Sequence, residues 1–104
     1  MSTQNPAEIF RKEAPEVAEA FDGVIKALIQ TKGLDPKTKQ LIYIGIKCAL
    51  GDELAVLFHV PMAKKLGATR DEIKDTILLT LSTCGLKGVM SCLPTALKAY
   101  DEAE

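Results

Sequence analysis

The chain has no tryptophan, one histidine, two arginines (Arg11 and Arg70) and three cysteines that form no CxxC pair. Cysteines that are odd in number and lie inside apolar stretches are typical of reduced thiols, so we expect a cytoplasmic protein without disulfides. One histidine without grouped cysteines falls short of the common zinc ligand sets, and no glycine-rich phosphate loop is present. The sequence therefore predicts neither a metal ion nor another cofactor.

Strong charge and long hydrophobic runs are also missing. The net charge of −1 and the sequence pI of about 5.8 give no broad attraction to nucleic acid. The longest apolar run, residues 41–50, is interrupted by Lys47 and is about half the roughly 20 residues that a membrane helix needs. Residues 1–6 lack a basic segment followed by an apolar one, so no secretory signal is expected. We expect neither nucleic acid nor membrane as a partner.

The sequence does contain a series of helix starts. In Asn5-Pro6 and Asp35-Pro36 a capping side chain precedes a proline, and both pairs suit the first turn of a helix. With 104 residues, of which 47% are hydrophobic and 26% charged, the chain is expected to form one globular domain over residues 1–104. Further helices are expected to start at Pro15, at Asp52 and at a capping box formed by Thr69 and Glu72. A last helix should follow a break at Gly85 and Gly88 and reach Tyr100. Pro61 and Pro94 should bend the helices that contain them.

Three apolar patterns predict how these helices pack. Four apolar residues between Val17 and Leu28 recur at helical spacing and form a stripe on a helix that Gly33 should end. In residues 41–50 and 73–84 the apolar side chains extend around most of the helix, which predicts two buried helices. A small domain has little core in which to bury both, so the pattern favours burial shared between subunits.

His59 is the first candidate for chemistry, because imidazole can both take and give protons near neutral pH. A core or interface position with one satisfied ring nitrogen explains a lone histidine equally well. Asp52 and Glu53 lie about two turns before it, where a carboxylate would raise the pKa of His59 and orient the ring, or would only cap the helix. Lys47, inside an apolar helix, and Arg70, in a capping box, are candidates for binding a substrate carboxylate, with solvent exposure as the alternative for both.

Five segments, taken together, carry a family resemblance. They are residues 34–42 (LDPKTKQLI), residues 49–52 (ALGD), His59, residues 65–73 (KLGATRDEI) and Cys84-Gly85. This arrangement resembles the carboxymuconolactone decarboxylase family, which includes the alkyl hydroperoxidase D-like proteins, over roughly residues 34–100. The resemblance implies an all-α, alkyl hydroperoxidase D-like helical bundle that assembles as a homo-oligomer, often a trimer or hexamer.

The peroxidase branch of that family uses a glutamate, a CxxC pair and a histidine to feed protons to a reactive thiolate. In this chain the glutamate position falls on Gln40, and the two cysteine positions fall on Asp52 and Ala55. An amide cannot relay a proton as a carboxylate does, and the disulfide cycle needs a resolving thiol. Gln40 could still hydrogen-bond His59 or a substrate, or lie at the edge of the core. Standard peroxidase chemistry is therefore not expected.

Two of the remaining cysteines offer a non-standard redox route. Cys84 and Cys92 would lie about 12 Å apart in one continuous helix, beyond disulfide reach, but the break between Gly85 and Gly88 could shorten this distance. Cys48, near the end of its helix, is expected to be inert because the carbonyl end of the helix dipole opposes thiolate formation. Alkyl hydroperoxidase-type activity through Cys84 and Cys92 stays open as one alternative.

The decarboxylase branch of the family does not depend on CxxC. Its reaction converts a carboxylated lactone to an enol-lactone with loss of carbon dioxide. The resemblance thus implies cofactor-free decarboxylation or proton transfer on a small carboxylated, lactone-like metabolite, with His59 as acid or base. A non-catalytic oligomer that binds a ligand is the other alternative, because Gln40, Asp52 and Ala55 replace residues of the peroxidase pattern.

Overall fold

Seven α-helices make up residues 5–104, the part of the chain that the computed structural model describes. The prediction of an all-α fold is confirmed. The chain divides into two compact units, Met1–Gly33 and Leu34–Glu104, and the second begins where the family resemblance begins. Within residues 5–104, none of the helices combines the length and the apolar character needed to cross a bilayer. Residues 1–4, on which the expectation about a secretory signal partly rests, lie outside the described residues.

The first unit contains two helices, α1 at Pro6–Glu13 and α2 at Pro15–Gln30. Asn5 caps α1 as predicted, since its side-chain oxygen accepts a hydrogen bond from the backbone N–H of Glu8 at 2.8 Å. The predicted stripe on α2 lies at the surface, where its members expose between 51% and 60% of their area: Val17, Phe21, Val24 and Leu28.

The predicted end of α2 at Gly33 is wrong, because the helix stops three residues earlier at Gln30. Thr31 already has an extended backbone, and its hydroxyl donates a hydrogen bond to the carbonyl oxygen of Leu28 at 3.0 Å. This side-chain bond satisfies one of the carbonyl groups that the helix end leaves without a backbone partner.

The second unit contains five helices: α3 at Pro36–Ala49, α4 at Glu53–Lys65, α5 at Arg70–Leu78, α6 at Leu81–Cys84 and α7 at Leu86–Glu102. Three of them begin at the predicted caps. The side chains of Asp35 and Asp52 accept hydrogen bonds from the backbone N–H groups three residues later, at 2.7 and 3.1 Å. Thr69 and Glu72 form the predicted capping box at the start of α5.

The core of the second unit lies where α4 and α5 pack against both α3 and α7. At the far end of the bundle, the Lys64 ammonium donates to the carbonyl oxygens of Tyr100 and Ala103 at 2.9 and 2.8 Å, which ties the end of α7 to α4. The largest fully buried side chains in this core are Ile44, Ile73, Ile77, Val56, Val60, Cys48 and Cys92.

α3 contacts three other helices, yet only one of its faces is buried. Ile44 and Cys48 are fully buried, whereas Ile42 exposes 45% and Ile46 exposes 57% of its surface. The expectation that residues 41–50 are buried around most of the helix is therefore wrong within one chain, because α4, α5 and α7 cover only part of its circumference. Burial shared between subunits stays a prediction.

The apolar run at residues 73–84 is two helices rather than the single helix expected. α5 stops at Leu78, and a tight turn follows in which the backbone N–H of Thr80 donates to the carbonyl oxygen of Ile77 at 3.1 Å. The buried hydroxyl of Thr80 donates to the same carbonyl at 2.7 Å, so both donors favour the turn over continued α-helix.

Gly85 and Gly88 have different roles, although both were expected to break the chain. Gly85 does so, with a positive φ of 70° between α6 and α7. Gly88 instead lies inside α7, where an added Cβ would be 2.6 Å from the carbonyl oxygen and 3.0 Å from the sulfur of Cys48. Pro61 and Pro94 lie inside α4 and α7, which both continue beyond them.

The close approach at Gly88 predicts that Gly88→Ala lowers the free energy of unfolding by about 1–3 kcal/mol, because the backbone of α3 must move to admit the methyl group. Gly23→Ala is the matched control, since a Cβ at this helical glycine meets nothing within 4 Å. We expect that change to add roughly 0.5–1 kcal/mol through helix propensity. Chemical denaturation followed by circular dichroism measures both, and a Gly88→Ala variant as stable as the parent would contradict the proposed packing.

Candidate functional site

A group of polar side chains surrounds the single histidine between α3 and α4. Gln40, Tyr43 and Lys47 are spaced by three and four residues, so they share one face of α3. His59 lies on α4, and its Nδ1 is 2.9 Å from the Oε1 of Gln40. Both side chains are partly buried. The structure thus brings Gln40, at the glutamate position of the peroxidase pattern, to the histidine.

The contact with Gln40 determines which nitrogen of His59 can act on a ligand. With the amide oxygen facing the ring, Nδ1 carries the proton and donates it to Gln40. The Nε2 nitrogen then holds a lone pair and points away from Gln40. This tautomer is the one a general base requires at Nε2.

Tyr43 and Lys47 complete the surroundings of His59. The rings of Tyr43 and His59 are stacked with centroids 4.0 Å apart and a tilt of 33°. The ammonium of Lys47 is 5.6 Å from the centre of the Tyr43 ring and 3.5 Å from the Oδ2 of Asp52. From the sequence, Tyr43 offers a phenol three residues after Gln40, with packing as the usual role of an aromatic residue at this spacing.

The electrostatics around His59 differ from the sequence prediction. A carboxylate from Asp52 or Glu53 was expected to raise the pKa of His59, but burial of the ring and, after it, the positive charge of Lys47 hold this pKa below its usual value. The Asp52 carboxylate pairs with Lys47 instead. Both effects favour the neutral form of His59, which is the form that can accept a proton.

Two sequence candidates have partners elsewhere in the second unit. The Glu53 carboxylate accepts a hydrogen bond from the hydroxyl of Thr95 and so links the start of α4 to α7. The guanidinium of Arg70 makes two hydrogen bonds to Asp101, at 2.8 and 3.1 Å, in an exposed pair. The Asp101 carboxylate therefore occupies the side of the Arg70 guanidinium that could otherwise bind a substrate carboxylate with two hydrogen bonds.

The three cysteines occupy contrasting environments. Cys48 and Cys92 are fully buried, and Cys84 is exposed at the end of α6. Burial raises the pKa of the Cys48 thiol, whose sulfur is 3.8 Å from the hydroxyl oxygen of Thr80. A thiol held neutral in this way is a poor nucleophile. Among residues 5–104, no three His, Cys, Asp or Glu side chains are grouped so that they could hold a metal ion.

Two apolar grooves on the second unit do not include His59. One, of about 460 Å³, lies between α4 and the end of α7 and is lined by Leu57, Met62 and Ala99 among others. The other, of about 350 Å³, lies between α3 and α5 and includes Leu41 and Leu79. The polar groups capable of proton chemistry are thus separate from these grooves.

Comparison with known proteins gives consistent results. The sequence model of the carboxymuconolactone decarboxylase family matches residues 15–98. An uncharacterized protein of Methanocaldococcus jannaschii is 29% identical over 91 residues, which are 88% of this chain and 85% of that protein. An uncharacterized protein of Cupriavidus necator is 32% identical over 76 residues, which are 73% of this chain and 67% of that protein. The crystal structure of an apo carboxymuconolactone decarboxylase family protein from Legionella pneumophila matches with a TM-score of 0.80 and 33% identity, over 91% of this chain and 84% of that one.

The position of Lys47 predicts that Lys47→Met raises the pKa of His59, because removing a nearby positive charge makes protonation of the ring easier. The chain has one histidine, so NMR titration of its ring resonances gives this pKa without assignment of other histidines. Lys47→Arg is the matched control, since it keeps the charge and should keep the pKa low. An unchanged pKa in Lys47→Met would mean that burial alone accounts for the shift.

Proposed function

Since the chain belongs to the carboxymuconolactone decarboxylase family, we propose that it is a cofactor-free enzyme that transfers a proton on a small carboxylated, lactone-like metabolite, with or without loss of carbon dioxide. His59 is the acid and base in this proposal, and Lys47 binds the substrate carboxylate. Gln40 orients the imidazole.

The hydrogen bond between His59 and Gln40 is the observation that carries this proposal. It leaves Nε2 of the neutral ring unprotonated, and burial and the charge of Lys47 lower the pKa of His59, which favours that neutral form. A neutral imidazole can remove a proton from a carbon atom that a neighbouring carbonyl group makes acidic. Lys47 lies close enough to affect the charge state of His59, so a carboxylate bound to it would place the rest of a small substrate near the ring.

The proposed proton transfer begins when Nε2 of His59 takes a proton from the carbon and the electron pair of that C–H bond moves toward the lactone carbonyl oxygen. The imidazolium then returns the proton to another carbon of the conjugated system. In the decarboxylation, the bond to the carboxylate carbon breaks instead, its electron pair moves into the same conjugated system, and carbon dioxide leaves. His59 then donates a proton to a carbon of that system and recovers one from water, which leaves hydroxide in solution.

The environments of the cysteines support this proposal over peroxide reduction. Asp52 and Ala55 occupy the positions of the CxxC pair, and neither side chain can form a disulfide. Cys92 is fully buried, and burial keeps the Cys48 thiol protonated. Only Cys84 among the three is exposed, so a peroxide would meet one accessible thiol without an accessible second cysteine in the same chain.

We expect His59→Gln to lower the rate of proton transfer by about 10²–10⁴-fold, because it removes the only imidazole. Release of carbon dioxide from γ-carboxymuconolactone measures decarboxylation. Exchange of carbon-bound hydrogen with deuterated water in a lactone that has one carboxylate measures proton transfer alone. Arg70→Gln is the control, since Arg70 is paired with Asp101 and should leave both rates unchanged.

Full turnover in a folded His59→Gln variant would contradict the role of His59. Absence of both reactions in the parent chain, together with tight binding of a lactone, would favour the non-catalytic ligand-binding alternative. Circular dichroism of each variant distinguishes a chemical effect from a failure to fold.

We also propose that the chain forms homo-oligomers, a trimer or a hexamer, through apolar faces that include the exposed stripe on α2. Phe21 exposes 51% and Val24 exposes 52% of its surface, a large apolar exposure for one helix face. Val24→Asp should lower the oligomeric mass in light scattering, whereas Lys26→Glu, on the opposite face of α2 by helical spacing, should not. A monomeric parent chain would contradict the proposal.

A further inference from the structure

The groove between α3 and α5 suits an apolar partner. None of the residues that line it is charged. Its two threonines, Thr76 and Thr80, donate their hydroxyls to carbonyl oxygens within α5, at 2.7 Å each, so neither hydroxyl needs a partner from outside. Ile46 on α3 and Leu79 on α5 line the groove and expose 57% and 71% of their surfaces. Burial of these side chains would be favourable, and the groove offers a ligand little else to bind.

Helix α2 has the shape and the surface of a segment that fits such a groove. Its stripe presents four large apolar side chains on one face, and helical spacing places Ala20 and Ala27 beside them. α2 has 16 residues and α3 has 14, so the two helices are about 24 and 21 Å long. A helix of this kind binds a groove by placing its apolar face along it.

We propose that the groove between α3 and α5 binds helix α2 of a second copy of the chain. The inference rests on the proposed homo-oligomer and names the surface that receives the stripe on α2. One chain leaves the stripe exposed, and it also leaves Ile46 and Leu79 exposed at the groove. A second copy supplies the missing partner for each surface, and the chain itself provides the matching helix.

Charge favours this arrangement over the packing of two α2 stripes on each other. α2 contains three acidic residues and one lysine, which give a net charge of −2, whereas α3 contains three lysines and no acidic residue, which give +3. Two α2 helices would repel each other, whereas α2 and α3 attract. Two of the three lysines already have an ion pair within the chain, so charge selects the arrangement while the apolar contact supplies most of the affinity.

Ile46→Asp tests the groove, because Ile46 lines it and is exposed, so the change adds a charge there without altering the buried core. Ile46→Met is the matched control, since it keeps an apolar side chain at the same position. We expect Ile46→Asp to weaken self-association of the full chain by roughly 10-fold or more, and Ile46→Met to leave it unchanged. Light scattering over a range of protein concentrations gives the oligomeric mass and the dissociation constant.

A mixture of two variants tests whether α2 of one copy binds the groove of another. Val24→Lys alters α2 and leaves the groove unchanged, whereas Ile46→Asp alters the groove and leaves α2 unchanged. In a 1:1 mixture the unchanged α2 of one variant can bind the unchanged groove of the other. The reciprocal contact then brings together two introduced charges of opposite sign. We expect each variant alone to lose the oligomer, and native mass spectrometry of the mixture to detect complexes that contain both.

If Ile46→Asp self-associates as tightly as the parent while Val24→Lys does not, the inference is overturned and the homo-oligomer stands, with α2 bound to another surface. A mixture that forms no complexes containing both variants would also overturn the inference. A monomeric parent chain would reject the proposed homo-oligomer, and the inference with it. Circular dichroism of each variant shows whether a loss of mass reflects a loss of association or a failure to fold.

Discussion

The close contact between α7 and α3 at Gly88 is the constraint on which the second unit depends. A Cβ at this position would lie 2.6 Å from a backbone oxygen of α3, so the two helices can reach their observed separation only if residue 88 has no side chain. Cys48 fills the space beside it and is fully buried. This contact holds one side of α3 against α7, while the adjacent side meets α4 and carries the polar group around His59.

The site combines residues that have little effect separately. An imidazole on a helix is common, and so is a lysine paired with an aspartate at the surface. Their placement close together changes the properties of the imidazole. Burial and Lys47 favour the neutral form of His59, and Gln40 fixes its tautomer. The peroxidase pattern of the family has a glutamate and two cysteines where this chain has Gln40, Asp52 and Ala55. At these positions this chain has a hydrogen-bond acceptor for His59, which is Gln40, and a counter-ion for Lys47, which is Asp52. The peroxidase pattern has a redox pair of cysteines instead.

Local sequence signals predicted the helix starts, because capping depends on residues within three positions of one another. Asn5, Asp35 and Thr69 all make the bonds that their spacing predicts. Long-range partners could not be predicted from spacing. The contact of Glu53 with Thr95 joins residues 42 positions apart, and a helical wheel of α4 alone does not indicate it. The same is true of Gly88, whose place inside a helix is explained only by Cys48 on another helix.

The stacking of Tyr43 on His59 has a spectroscopic consequence. The chain has two tyrosines and no tryptophan, so emission excited at wavelengths above the absorption of phenylalanine comes from Tyr43 and Tyr100 alone. One of these fluorophores lies against the imidazole, with ring centres 4.0 Å apart. Protonation of the imidazole places a positive charge against the Tyr43 ring and so changes the surroundings of this fluorophore. The charge state of the proposed acid and base can therefore be followed optically in the unlabelled protein.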